Sequence, residues 1–227
     1  LDLLKALISF GGKDVSDERL TDALWPDADG DFAHRAFDTT LHRLRKLLGD
    51  NGVIQHHAGQ LSIDQRHCWI DTQTFGHVCN YIETLLKKEN GKIGNDRLNL
   101  LLEKASHLYQ GDFLPADAGQ PWATWMREYA RRRYLDILGT AGIYWEASQQ
   151  WEKAIEAYQR ALEVDNLVEE PYQRLMVCYQ AEEQTAEIVK TYQRCRAALS
   201  ANLAINPSPK TEAVYRGIIS PLSRRSD

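Results

Sequence analysis

Apolar residues recur at three- and four-residue steps along most of the chain and alternate only in one short stretch. Leu3, Leu4, Leu7 and Ile8 open a helical pattern at the first residues. Leu20, Ala23 and Leu24 give a second, short helix its apolar face. Ser16 is placed to cap it, with Asp17 and Glu18 in the first turn, where the helix dipole favours negative charge. Trp25-Pro26 ends it, because a residue before proline resists the helical region. Asp27 to Gly30 read as a turn, and Asp31 as the N-cap of a third helix. There Ala33, Phe37, Leu41, Leu44 and Leu48 step by four, four, three and four, which predicts one buried stripe. Gly49 closes that helix as a C′ residue. Asn51-Gly52 signals a turn, and Val53–His57 and Gln60–Ile63 predict two short strands around Ala58-Gly59.

The stripe leaves Arg35, Thr39, His42 and Lys46 on the opposite face of the third helix, flanked by Arg43 and Arg45. Helix, turn, helix with a cationic face and then a hairpin is the order of a winged helix-turn-helix. A helix with hydrogen-bonding side chains suits the major groove, and a hairpin beside it suits backbone or minor-groove contact. Charged outer faces are also the norm on globular helices, so periodicity alone leaves an ordinary solvated helix open.

From Asp71 onward the strand signals vanish. Tyr158-Gln159-Arg160-Ala161 recurs 34 residues later as Tyr192-Gln193-Arg194-Cys195, and the same offset carries Trp145 onto Tyr179 and Leu138 onto Tyr172. Thirty-four residues is the tetratricopeptide (TPR) period, two antiparallel helices per repeat. Leu138, Gly142, Trp145, Ala154, Tyr158 and Ala161 alternate large and small as helices in close approach require. The second copy has Met176 and Ile188 at two small positions. Upstream, Asp96–Tyr109 and Trp122–Leu138 predict two further helices, and Lys87–Asn95 a polar loop. Asn206-Pro207-Ser208-Pro209 predicts a turn before a last short helix, Thr211–Ile218.

Composition narrows the function. With 27 basic and 32 acidic side chains, the chain is acidic overall. Even residues 1–70 carry eight Lys and Arg against eleven Asp and Glu, so positive charge is local, from Arg35 to Lys46. Nucleic acid, if bound, meets a patch whose acidic surroundings make affinity modest and salt-sensitive. Cys68, Cys79, Cys178 and Cys195 form no C-x-x-C pair and read as reduced, packed thiols of a cytoplasmic protein. His56, His57, His67 and Cys68 match no zinc spacing, so no metal and no cofactor is expected. There is no signal peptide and no apolar run long enough to span a bilayer, so no membrane partner is expected. The early start of the helical pattern at Leu1 suits a piece of a longer protein.

Two further stretches carry a family resemblance. Tyr109-Gln110-Gly111-Asp112-Phe113-Leu114-Pro115, then Trp122 and the basic run Arg127–Arg133, resembles the bacterial transcriptional activator domain. So does Asn206-Pro207-Ser208-Pro209 with Thr211 and Tyr215. That domain follows an OmpR-type winged helix in SARP/AfsR-type bacterial regulators. The front half is similar too, through Asp22-Ala23-Leu24-Trp25-Pro26, Ala36 and Leu41–Gly49. The resemblance runs from about Leu3 to Gly217. It implies a transcriptional activator that reads double-stranded promoter DNA, with a helical array for self-association and for contact with the sigma or alpha subunit of RNA polymerase. It carries DNA contacts onto Arg35, Thr39, Thr40, His42, Arg43 and Lys46. Relatives place an arginine near the wing tip. Here Gln60 stands there, with His56 and His57 nearby, so His57 and Gln60 are the wing's candidate contacts.

The expected fold is mainly α, a winged helix-turn-helix over residues 1–69 with a small hairpin wing, then an all-α TPR-like array over 70–219 and a tail from 220 to 227. A second reading keeps the fold and makes the chain a protein-interaction module whose winged helix no longer binds DNA, which the acidic balance and neutral wing favour. No P-loop, G-x-G-x-x-G, G-x-S-x-G or H-E-x-x-H occurs, and no enzyme is expected. Asp112 sits in a turn that reads as an interhelix corner with Phe113 and Leu114 packed inward.

Overall fold

A computed structural model describes residues 1–49, 52–88 and 95–223. The chain is mainly helical and divides into two units, Leu1–Val78 with Ser106–Arg132, and Cys79–Ala105 with Arg133–Asp227.

In the first unit α1 (Asp2–Ser9) leads through β1 (Val15–Ser16) to α2 (Asp17–Leu24) and α3 (Gly30–Leu48), and the hairpin β2 (Ile54–His57) and β3 (Gln60–Ile63) follows. Ser16 caps α2 as expected, its hydroxyl accepting from the Arg19 amide at 3.3 Å. The N-cap of α3 is Asp29, two residues before the expected Asp31, which lies instead in the first turn. Gly49 ends α3 at φ 70°, a left-handed conformation that glycine adopts without a Cβ clash. Asn51 lies outside the described residues. The antiparallel sheet has the order β1-β3-β2, with Val15 opposite Leu61 and Ile54 opposite Ile63.

One apolar cluster holds this unit. Leu3 and Leu7 of α1, Leu20 of α2, Phe37, Leu41 and Leu44 of α3, and Ile54 and Leu61 of the hairpin are all buried in it. Trp122 and Ala123, from the start of α6 (Pro121–Ala147), complete it, with Phe113 and Leu114 packed against it. The corner carrying those two residues is wound on Arg127. Its guanidinium donates to the carbonyls of Phe113 at 2.9 Å and Asp117 at 3.1 Å. Lys5 holds the same corner, its ammonium bonding both Asp117 carboxylate oxygens at 3.0 and 2.9 Å.

The second unit contains the end of α4 (Asp71–Lys88), most of α5 (Asn95–Leu108) and the later part of α6. Then come α7 (Trp151–Val164), α8 (Glu169–Ala181), α9 (Thr185–Leu203) and α10 (Pro209–Ser223). Helix α4 extends through Lys88 into the stretch expected to be loop, and residues 89–94 lie outside the described residues. Helix α6 joins two expected helices without a break through Gly139 and Gly142, the second buried against Tyr158, where packing overrides propensity. Helix α10 extends beyond Thr211–Ile218 at both ends, and residues 224–227 are not described.

The 34-residue offset is present in the backbone. Gln149 and Glu183 both turn at φ 56°. The amides of Gln150 and Gln184 each reach back to the carbonyl of the aromatic five residues earlier, Trp145 and Tyr179, at 2.8 Å. Trp145, Tyr158, Tyr172 and Tyr179 are buried, whereas Tyr192 is half-buried, stacked on Tyr215 with ring centroids 4.0 Å apart. Gly142 faces Tyr158 so closely that a Cβ there would lie 2.4 Å from the ring. The ring is held: its hydroxyl donates to Glu146 at 2.5 Å, and Glu146 also pairs with Arg174 at 3.3 Å. The Asn206–Pro209 turn is fixed by Glu169 of α8, whose carboxylate accepts from the Ser208 amide at 2.8 Å and from the Ser208 and Thr211 hydroxyls at 2.9 and 2.5 Å. Burial pushes the Glu169 carboxyl up, but those hydrogen bonds outweigh it and its pKa lies below the usual value of 4.5.

Two outcomes follow from this packing. Alanine in place of glycine in an open helix stabilises by about 1 kcal/mol. At Gly142 the overlap with a fixed ring costs about 1–3 kcal/mol and wins. Gly142→Ala should therefore lower the urea midpoint of the second unit, and a raised midpoint would contradict the close approach. Because the folded pKa of Glu169 is depressed, its contribution is present above the unfolded pKa and is lost as pH falls through the folded one. The excess thermal stability of wild type over Glu169→Gln should thus be full above the unfolded carboxyl's usual value of 4.5 and shrink as pH falls below it.

Candidate nucleic-acid interface

Helix α3 owes its orientation to its apolar side. At ~100° per residue, Ala33, Phe37, Leu41, Leu44 and Leu48 span about 80° of arc, and the first four are buried. On the same wheel Arg35, Thr39, His42 and Lys46 fall within about 60° of one another, opposite that stripe, and all four are exposed. Arg43 is exposed at their flank. Thr40 lies near the apolar border and is half-buried, so it stands apart from the other five candidates.

Local bonds tie down part of this face. Arg35 Nε donates to the Asp31 carbonyl at 3.0 Å, and Thr39 Oγ1 donates to the Arg35 carbonyl at 2.8 Å. Among the described residues His42, Arg43 and Lys46 have neither an ion pair nor a side-chain hydrogen bond. Arg45 is different. Its Nε and Nη2 both donate to the Ile54 carbonyl, at 3.3 and 3.0 Å, which ties the start of the hairpin to α3.

The hairpin turns through Ala58 and Gly59 at φ 49° and 70°, the pair of left-handed residues that a two-residue turn between right-twisted strands requires. His57 and Gln60 face each other at the last register position, both exposed. His56 is turned to the body of the unit: its Nε2 lies 2.7 Å from Asp17 Oδ2 and its ring packs edge-on against Phe37. Asp17 also donates its amide to the Gly59 carbonyl at 2.9 Å, so the tip is pinned to the start of α2. The wing therefore presents neutral side chains at its end and no arginine.

One residue of this face has no polar group to announce it. Phe32, in the first turn of α3, is 59% exposed and lies between Arg35 and Arg43 on the wheel, where its ring is free to meet an apolar surface. Its helical angle was available from sequence; its exposure was not. The basic run Arg127–Arg133, by contrast, is largely used internally. Arg127 holds the 113–118 corner, Arg131 pairs with Glu128 at 2.7 Å, and Arg133 bonds Glu83 and Asn80. Burial pushes the Cys79, Cys178 and Cys195 thiols up to about 12, which disfavours the reactive thiolate. His67 lies 4.0 Å from Asp64 and Cys68 donates to the Asp64 carbonyl at 3.6 Å. Among the described residues no helix is long and apolar enough to cross a membrane.

Comparison with known proteins places this geometry. No curated protein matches the chain. Among solved structures, EmbR of Mycobacterium tuberculosis, in complex with a low affinity phosphopeptide, superposes with a TM-score of 0.68 at 18% identity. The match covers 96% of this chain and 59% of EmbR, so the chain has the fold of part of that protein. The family profile described as "Bacterial transcriptional activator domain" matches residues 90–219. That stretch includes the Tyr109–Pro115 corner, Trp122, the paired helices and the Asn206–Pro209 turn. As its resemblance to SARP/AfsR-type regulators implied, the chain belongs to the bacterial transcriptional activator domain family.

Proposed function

We propose that the chain is a DNA-binding transcriptional activator. Its first 69 residues act as a winged helix-turn-helix that lays α3 in the major groove of promoter DNA. Residues 70–219 act as a TPR-like array that contacts a second copy or RNA polymerase. The observation that carries this reading is the face of α3: cationic and hydrogen-bonding side chains within one narrow arc, all exposed, diametrically opposite a buried stripe. Arg35 and His42 are assigned to base edges, Arg43 and Lys46 to phosphates, and Phe32 to apolar contact with a thymine methyl. His57 and Gln60 approach the backbone from the wing without charge. Such a regulator works where its promoter is, in the bacterial cytoplasm.

A protein-interaction module is the second reading, and the neutral wing favours it. With His56 drawn to Asp17 and only His57 and Gln60 at the end, the hairpin adds little attraction for a polyanion.

Mobility-shift titration of the chain's own promoter region at several salt concentrations separates the two. Arg43→Ala or Lys46→Ala should weaken binding to all sequences alike and lower the salt slope by about one unit each. Arg35→Ala or His42→Ala should cost about 1–3 kcal/mol on the preferred site and relax its specificity there. An Arg35→Ala/Arg43→Ala double variant that folds and binds as wild type does would transfer the lead to the interaction module. Arg45 supplies an internal control. Removing its two bonds to a carbonyl should lower thermal stability by on the order of 1–2 kcal/mol in Arg45→Met, whereas exposed Arg43→Ala should change stability by under about 0.5 kcal/mol.

A further inference from the structure

A groove of about 260 Å³ opens in the second unit between α6 and the start of α8, with α7 at its floor. That volume is below the roughly 300–1,000 Å³ usual for small-molecule sites, so it suits an inserted side chain rather than a whole ligand. Its walls are aliphatic and open to solvent. Ile143 of α6 is 45% exposed, Val168 just ahead of α8 is 37% exposed, and Leu135 is half-buried. Tyr158 and Ala161 of α7 lie buried between them.

Gly139 lines the groove from the interior of α6. The two glycines of this helix differ in what surrounds them. A Cβ at Gly142 would lie 2.4 Å from the Tyr158 ring, whereas one at Gly139 would meet nothing within 4 Å. Packing within the chain therefore gives no reason for glycine at 139, where alanine would favour the helix. A bare backbone at such a place serves the close approach of something outside the chain. The charge around it has one sign. Asp136 of α6 and Glu170 of α8 are exposed, and among the described residues neither has an ion pair or a side-chain hydrogen bond. Arg174, the cation of the lining, is already paired with Glu146 at 3.3 Å.

We propose that this groove binds a basic peptide segment of a partner protein. One aliphatic side chain sits over Gly139 between Ile143 and Val168, and flanking arginine or lysine side chains meet Asp136 and Glu170. An acidic segment would face two uncompensated carboxylates there. A basic segment without the aliphatic side chain would leave Ile143 and Val168 in water. The proposal rests on the reading of the array as a protein-contact module, and not on DNA contact by α3.

Isothermal titration of the full chain with three nonapeptides in an alanine background tests it. The first has a central leucine with arginine two residues away on either side, a spacing that an extended chain turns to one face. The second has glutamate for both arginines, and the third has serine for the leucine. The first should bind saturably with one-to-one stoichiometry, and the other two at least about tenfold more weakly. Gly139→Ala should raise the melting temperature by about 2–4 °C and yet weaken the first peptide. Gly139→Leu has open space for its side chain, so it should fold and abolish binding. Asp136→Asn combined with Glu170→Gln should weaken the first peptide about 3- to 10-fold. No saturable binding of that peptide up to about 10 mM, a preference for the glutamate peptide, or binding that Gly139→Leu leaves unchanged would each overturn the assignment. Sedimentation of the chain alone and with RNA polymerase separates this failure from failure of the underlying reading. An association that Gly139→Leu leaves intact, with no peptide bound, overturns the groove and keeps the array as a contact module. Absence of both association and peptide binding removes both.

Discussion

The burial of Phe37 is the constraint on which the first unit depends. The ring is 1% exposed at the centre of the α3 stripe, worth about 2–3 kcal/mol in transfer from water. Once that side of α3 is turned inward, the helical period leaves no freedom in what faces outward. The same ring receives the edge of His56, which Asp17 holds from the far side. Arg45, a quarter-turn from Phe37, reaches the Ile54 carbonyl. Helix α3 and the hairpin are therefore held in register by one apolar contact and two polar ties. A shift of α3 about its axis would break all three together.

Most of this was legible from spacing. The stripe, the Ser16 cap, the Gly49 stop and the hairpin are each specified within a few residues, where local chemistry decides. The failures lie where it does not. Asp29 and Asp31 both have N-cap chemistry, and α3 starts after Asp29 although its side chain makes no capping hydrogen bond. Arg43 and Arg45 are indistinguishable in composition, yet one is exposed and the other ties down the hairpin, because a strand begins beside only one of them. The longest-range links were invisible for a simple reason: Lys5 and Asp117 are 112 residues apart, and nothing near either marks the other. Trp122 and Ala123 likewise join a core whose other members precede residue 71.

The helical array shows how one period tolerates two packing solutions. At Gly142 the missing side chain admits the Tyr158 ring, whose hydroxyl is then satisfied by Glu146. Thirty-four residues on, Met176 fills the space itself and Tyr192 is displaced outward, stacking on Tyr215 and bonding Glu212 of α10. Helix α10 thus covers a face that a third repeat would otherwise cover. The Glu169 carboxylate fixes where that last helix begins. The Pro207-Ser208-Pro209 motif therefore works as a docking instruction for a terminal helix as much as a turn, with Thr211 fully buried against it.

Charge gives the two ends of the chain complementary duties under the proposed function. The chain carries a formal charge of −5, so the proposed reader relies on the cations of α3, and screening over about 8 Å at physiological salt isolates them from the acidic remainder. With Arg35 assigned to a base edge and a neutral wing beside it, Arg43 and Lys46 neutralise about two phosphates. That sets a salt slope of only about −2 and a weak non-specific grip. A reader so poor in phosphate contacts gains its affinity from base edges and from number. Two copies side by side on one promoter double the phosphate contacts and raise the effective concentration of the second copy without any new chemistry on α3. Under the proposed function, self-association through the helical array supplies the affinity that α3 alone lacks.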